Sequence, residues 1–205
     1  MFKLFILYSH LLATCTALGV IIATDLQLLG KLTKPGLRIE SPGKYVERLI
    51  MASLAVLYVT GGFLIWLGLQ DRPDYLLNPK LVGKLVLVGV LTANAVVLHH
   101  LVFPRLPKMK TLADWSVQDR LSIAMPVALS NSLWMFCAFL GIARPWNHTV
   151  SFSFVLITAT ALWLVTLAGI TAILMVAAQD RTGMEPNWID ALKRRLGALA
   201  ARLGA

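Results

Sequence analysis

Four side chains set within long apolar runs could do chemistry: His10, Asp25, Lys84 and His99. Ionisable groups are costly in hydrocarbon, so each needs a partner or a task. Their spacing is regular: His10 and Asp25 lie 15 residues apart (25 − 10), as do Lys84 and His99 (99 − 84). At about 100° and 1.5 Å per residue, each pair falls within about 60° on one helix face, roughly 22 Å apart along it. His100 points away from Lys84, so His99 is the preferred member of the adjacent pair. If the two runs cross a bilayer in the same direction, His10 and Lys84 share an outer polar layer, and Asp25 and His99 share an inner one.

The outer layer offers two nitrogen donors. An imidazole and a neutral amine can each donate a lone pair to a transition metal. Iron in a porphyrin takes one axial ligand on each face, and helix bundles hold haem between facing side chains. A lysine ligand must be deprotonated, which a dry site favours. The competing reading has Lys84 reaching outward to headgroups while His10 bonds a nearby carbonyl. The inner layer pairs a carboxylate with an imidazole. Asp25 with His99 or His100 could be a buried ion pair, a proton relay or an orienting contact for a metal-bound histidine. Alternatively, Asp25 sits at the interface beside Lys31 or another basic residue.

The elements that must position these groups are membrane helices. The chain has 205 residues, of which 58% are apolar and 14% charged, with a mean hydropathy of +0.73. Soluble domains carry roughly a quarter charged residues, and a spanning helix needs about 20 mostly apolar ones. Five segments qualify: 2–29, 45–69, 81–103, 121–143 and 150–178. The first is too long for a signal-peptide core and lacks a small-residue cleavage site, so it is expected to persist as a helix. The fold class is an all-α membrane protein: a five-transmembrane-helix bundle over residues 1–180, with a C-terminal amphipathic helix in 181–205. In that tail Leu192, Leu196, Leu199 and Leu203 recur at helical spacing opposite a basic cluster, which suits an anionic leaflet.

The net charge of +9 does not mark a nucleic-acid surface. Of the 19 Lys and Arg residues, only Lys3, Arg72, Lys80, Lys84 and Arg144 fall on or near one side of a five-span topology. The positive-inside rule then places the N-terminus outside and the C-terminus in the cytoplasm, across a bacterial inner membrane.

Other polar groups have plainer readings. Asn94 and Asn131 are expected at similar depth, joined by an interhelical hydrogen bond worth about 1 kcal/mol. Gly61 and Gly62 would let a neighbouring helix come close. Cys15 and Cys137 would be packing residues, and Thr158, Thr160, Thr166 and Thr171 would bond back to their own helix. The short polar loop 70–78 makes spans two and three neighbours. The connection 104–120, with Trp115, would hold a short interfacial helix, and His148 would be solvated at the outer interface. No phosphate loop, Ser-His-Asp triad or Cys-x-x-Cys occurs.

Several stretches resemble a known family. The first span with its early histidine, the second opening Val46-Glu-Arg-Leu-Ile-Met and closing Gly61-Gly-Phe-Leu-Ile-Trp-Leu-Gly, and the third as Asn78-Pro-Lys-Leu-Val-Gly-Lys-Leu-Val-Leu-Val are similar to the oxygen-independent (HemJ-type) protoporphyrinogen oxidases and the related CopD-like copper-resistance membrane proteins. The resemblance covers about residues 1–106. It implies that the histidine of the first helix and the lysine early in the third, here His10 and Lys84, serve haem binding and activity. The family's first helix ends in a proline-arginine-leucine stretch followed by another histidine; this chain has Ala23-Thr-Asp-Leu-Gln-Leu-Leu.

Together these features lead us to expect a haem b or porphyrin-binding membrane redox protein, with His10 and Lys84 as ligands and Asp25 and His99 handling protons or a second metal position. A copper-handling transport protein using His10, His99 and His148 is the alternative, and a scaffold in which every polar group is helix glue is the third. The expected partner is the lipid bilayer. A quinone, a porphyrin or an electron-transfer protein is a further candidate, and a homo-oligomer is open.

Overall fold

A computed structural model describes residues 1–31, 37–109 and 111–179. Five long helices account for most of them: α1 (Phe2–Lys31), α2 (Lys44–Asp71), α3 (Pro79–Val97), α4 (Val117–Ile142) and α5 (Phe152–Gln179). No strand occurs among the described residues. Each helix, α3 together with the turns that extend it to Lys108, is long and apolar enough to cross a membrane. The protein is therefore an all-α, multi-pass helical bundle. The expected tail helix lies outside the described residues.

The helix boundaries follow local chemistry. Asn78 caps α3 by accepting from the Lys80 backbone N–H at 3.2 Å, and Pro79 follows at the first helical position, where its missing N–H costs nothing. Ser116 and Asp119 form a reciprocal capping box at the start of α4. α3 does not stop at Val97. It widens into a single π turn, Leu98–Val102, closed by Phe103 N–H donating to the Leu98 carbonyl at 2.9 Å. The connection beyond holds two 3-10 turns, Leu106–Lys108 and Leu112–Asp114, rather than the expected interfacial helix. Trp115 is buried there, because the connection folds under the bundle instead of lying on a surface.

Packing divides the helices into a pair and a trio. α1 lies along α2 and also touches α4, while α3, α4 and α5 pack on one another. α2 and α3 are neighbours, as expected, but they meet through long side chains, Tyr58 Oη and Thr92 Oγ1 at 2.6 Å and Glu47 facing His99, rather than by close backbone packing. One apolar core ties α1, α2 and the trio together through Ala17, Ile21, Leu54, Leu87, Leu133 and Leu140. A second, formed around Leu98, Val102, Leu112, Trp115 and Leu174, closes the end where α4 begins, and Leu112 N–H donating to the Leu37 carbonyl at 3.0 Å fastens the first loop to it.

Lipid is as apolar as leucine, so close approach of small residues matters more than hydrophobic burial. Ala17, Ala124 and Ala128 are fully buried at helix contacts. Gly83 on α3 is tighter still: a Cβ there would lie 2.8 Å from Val155 Cγ1 on α5, and Val155 is itself fully buried. Gly83→Ala is predicted to lower stability by about 1–3 kcal/mol, read by thermal unfolding in detergent, with Val155→Ala recovering part of the loss. An unchanged midpoint would mean that α3 and α5 are not in contact at this level.

Candidate functional site

Near the ends where α1 and α3 begin, His10 of α1 faces α2. Its Nδ1 lies 2.8 Å from Thr60 Oγ1. A second contact bears on its direction. Thr60 has a single hydroxyl proton, and the Val56 carbonyl of its own helix lies 2.6 Å from Oγ1. With the proton in that bond, Thr60 Oγ1 accepts from His10 Nδ1–H, and in the neutral ring the lone pair is then on Nε2. Histidines that bind metals are commonly held this way, with the other ring nitrogen donating to a protein oxygen. Gly61 packs beside the ring: a Cβ there would make an ordinary contact with His10 Cε1 at 3.6 Å.

Lys84 enters the same level from α3. Its side chain is half-buried, and its charge is within reach of both His10 and Cys137 of α4. Gly141, one turn beyond Cys137 on the same face of α4, lies against it. A Cβ on Gly141 would sit 3.4 Å from Lys84 Nζ. Among the described residues, no hydrogen bond or ion pair involves the Lys84 amine. Its neighbour Lys80 is different. Buried at the end of the bundle, Lys80 donates to the Ala143 carbonyl at 3.0 Å, satisfying the C-terminus of α4. Above it, Asn78 accepts from the His148 backbone N–H at 3.3 Å, holding His148 at φ 57 with its ring exposed, as expected.

The α1 and α3 backbones do not pack directly, since α1 contacts α2 and α4. His10 and Lys84 therefore approach each other from the pair and from the trio. Neither follows its plainer reading. His10 bonds a threonine rather than a carbonyl, and Lys84 lies within the bundle rather than stretched out to headgroups.

The inner layer is rearranged relative to expectation. Asp25 and His99 do not pair with each other. Asp25, half-buried, accepts from Asn131 Nδ2 at 2.9 Å, while His99 Nδ1 lies 3.7 Å from Glu47 Oε2 of α2. His99 and His100 are both exposed, at the π turn, where the regular 100° phase used to align His99 no longer holds. The predicted Asn94–Asn131 bond also fails. Asn94 donates to the Pro126 carbonyl at 2.8 Å, and Asn131 is engaged by Asp25. Cys15 is exposed on the outside of α1 rather than packed, whereas Cys137 is core. Thr158, Thr160 and Thr166 bond back to their own helix; Thr171 has a buried hydroxyl with no partner among the described residues.

Among the described residues, no three His, Cys, Asp or Glu side chains converge as a metal cage. His10, His99 and His148 are not brought together among them, and Lys84 and His99, about 22 Å apart along one helix, cannot share an ion. What the geometry does bring together is an imidazole, an amine with no hydrogen-bond partner among the described residues, and a thiol. Sequence reasoning missed Thr60 and Gly141. Counting depth inward from each helix end would have placed Thr60 opposite His10. Gly141 offers no comparable signal.

No protein-family model, curated protein or solved structure matches this chain, and the resemblance noted above rests on the residues quoted there.

Asn131→Ala is predicted to cost about 1–2 kcal/mol, because Asp25 loses its donor inside the bundle; Asp25→Asn, which can still accept from Asn131, should unfold near the wild-type temperature. Thermal unfolding of the three proteins in one detergent decides it, and equal midpoints for all three would remove the Asp25–Asn131 bond from the account.

Proposed function

We propose that this protein is a membrane redox protein that binds haem b or a related porphyrin between α1 and α3, where His10 and Lys84 would hold it. The observation that carries this reading is the Thr60 hydroxyl. It lies 2.8 Å from His10 Nδ1, at the level where the half-buried Lys84 amine has no hydrogen-bond partner among the described residues, an arrangement that suits a ring donating from Nδ1 with Nε2 available. The donor set suits iron in a porphyrin, which needs two axial ligands and no cage of protein groups. Such a group would supply one-electron chemistry. The chain would hold it with His10 and Lys84, orient the imidazole through Thr60, and keep water away with Leu140 and Trp134 of the neighbouring core. The similarity of residues 1–106 to HemJ-type protoporphyrinogen oxidases points the same way. A quinone or an electron-transfer protein would take or deliver the electrons. The charge asymmetry supports an inner-membrane location with the N-terminus outside, and Asp25 and Glu47–His99 would then lie nearer the cytoplasmic face as separate proton-handling groups.

A copper-handling role is the second reading, and Cys137 favours it. A thiol in charge range of Lys84 adds a soft donor to the two nitrogens, and thiolates select Cu(I).

Absorption spectra of the purified full chain, as isolated and after incubation with haem, separate the two. The haem reading predicts a Soret band that is lost in His10→Ala and in Lys84→Ala and kept in Asp25→Asn. It further predicts that Thr60→Val weakens haem binding about 10-fold or more by releasing the ring. A protein that stays colourless yet binds Cu(I) in a Cys137-dependent way would establish the copper reading instead.

A further inference from the structure

Away from the His10–Lys84 level, the opposite end of the bundle carries a cavity of about 240 Å3 between the end of α3 and the start of α4. A water occupies about 30 Å3 of liquid volume, so the space exceeds what a few ordered waters fill. Irregular backbone builds it. The π turn contributes Leu101 and Val102, the following 3-10 turn contributes Lys108, and Arg105 lies between them. α4 closes the other wall with Ile123 and Asp119.

The charges in this lining are not balanced. Asp119 is its one carboxylate, and the capping box engages it: the Ser116 backbone N–H donates to Asp119 Oδ2 at 3.1 Å and the Ser116 hydroxyl at 2.6 Å. Arg105 and Lys108 form no ion pair among the described residues, and both are exposed. The cavity thus joins an apolar wall to two cations that outnumber its one carboxylate and form no ion pair among the described residues, at the end of a membrane-spanning bundle. Basic pockets of this kind, at the ends of transmembrane helices, hold phosphate headgroups.

We propose that this cavity binds one anionic phospholipid, its phosphate between Arg105 and Lys108 and the first part of an acyl chain against Leu101, Val102 and Ile123. The apolar wall selects a lipid over free phosphate, because inorganic phosphate gains nothing from it. A zwitterionic lipid brings its own ammonium against the two cations and binds less well. The site would fasten the π turn to α4, and so couple the second core to the composition of the leaflet.

Full-length protein purified in detergent can be titrated with phosphatidylglycerol, phosphatidylcholine or inorganic phosphate, followed by native mass spectrometry and thermal unfolding. The expected result is one retained phosphatidylglycerol with a raised unfolding midpoint, and little effect from the other two. At about 1 kcal/mol per cation near a membrane surface, removing both weakens binding roughly 30-fold, so Arg105→Ala/Lys108→Ala should lose the retained lipid and the stabilisation. Arg105→Lys/Lys108→Arg should keep both, and Arg144→Ala, at the other end of the molecule, should bind like the wild type. Equal stabilisation by phosphatidylcholine, an equal response to inorganic phosphate, or a double-alanine protein that still retains the lipid would each overturn the proposal. If the double-alanine protein fails to fold, Ile123→Trp, which fills the cavity without touching its charge, gives the same reading, and lipid retention by that variant would count against the site.

Discussion

Inside hydrocarbon a polar side chain finds no water to bond with, and this bundle is organised by how that constraint is met. Most of the polar groups on its spans are tied either to a second helix or to their own backbone. Asp25 joins α1 to α4 through Asn131, Asn94 joins α3 to α4 through the Pro126 carbonyl, Tyr58 joins α2 to α3 through Thr92, and Lys80 finishes α4 at Ala143. Lipid tails offer no competing partners, and apolar faces have nothing to gain by leaving lipid for one another, so these few bonds and the close contacts of small residues set how the helices meet. The thiol and amine between α1, α3 and α4 stand apart from that pattern. Lys84 is partly buried and, among the described residues, bonded to none of them.

That exception gives the His10–Lys84 level its meaning. Hydrophobic segments tolerate a buried cation only where something answers its charge or the amine is neutral. The neighbours of Lys84 are an imidazole, another lysine and a thiol, none of which is a carboxylate. Two glycines border the same level, Gly61 beside the His10 ring and Gly141 beside the Lys84 amine. It is also where the pair α1–α2 meets the trio α3–α4–α5, with α1 and α3 not closely packed on each other. A ligand bridging the two nitrogens would span that junction and hold the two halves together. The charged cavity at the other end does a different job, between the second core and the leaflet.

Much of this was legible in the sequence, for reasons that also explain the rest. Five apolar runs announce five spans because the bilayer fixes their length, and their limits fell within a few residues of the helices. The outer layer was legible because α1 and α3 are regular where His10 and Lys84 sit, so counting by 100° holds. The inner layer was not. Counting from Lys84 to His99 runs into a π turn that no pattern in Leu98-His-His-Leu-Val reveals, and a carboxylate can take its donor from any facing helix. Asp25 found Asn131, and His99 was left with Glu47 in the first turn of α2. The Asn94–Asn131 pairing failed for a related reason: similar depth was assumed, but partner choice depends on rotation about the axis, which the sequence does not carry across a loop. Thr60 shows the converse, since a threonine beside two glycines reads as packing until the histidine opposite is seen.

The proposed site depends on the Thr60 hydroxyl holding His10 as a neutral ring protonated on Nδ1, at the level of Lys84. Magic-angle-spinning NMR of the protein labelled with 15N-histidine, reconstituted in lipid at neutral pH without added haem or metal, reads the tautomer of each ring from its two nitrogen shifts, and a His10→Gln sample assigns the signal. The account predicts a His10 resonance pair with the proton on Nδ1 and a bare Nε2, collapsing toward a mixed tautomer in Thr60→Val. A His10 ring protonated on Nε2, or on both nitrogens at that pH, would contradict it.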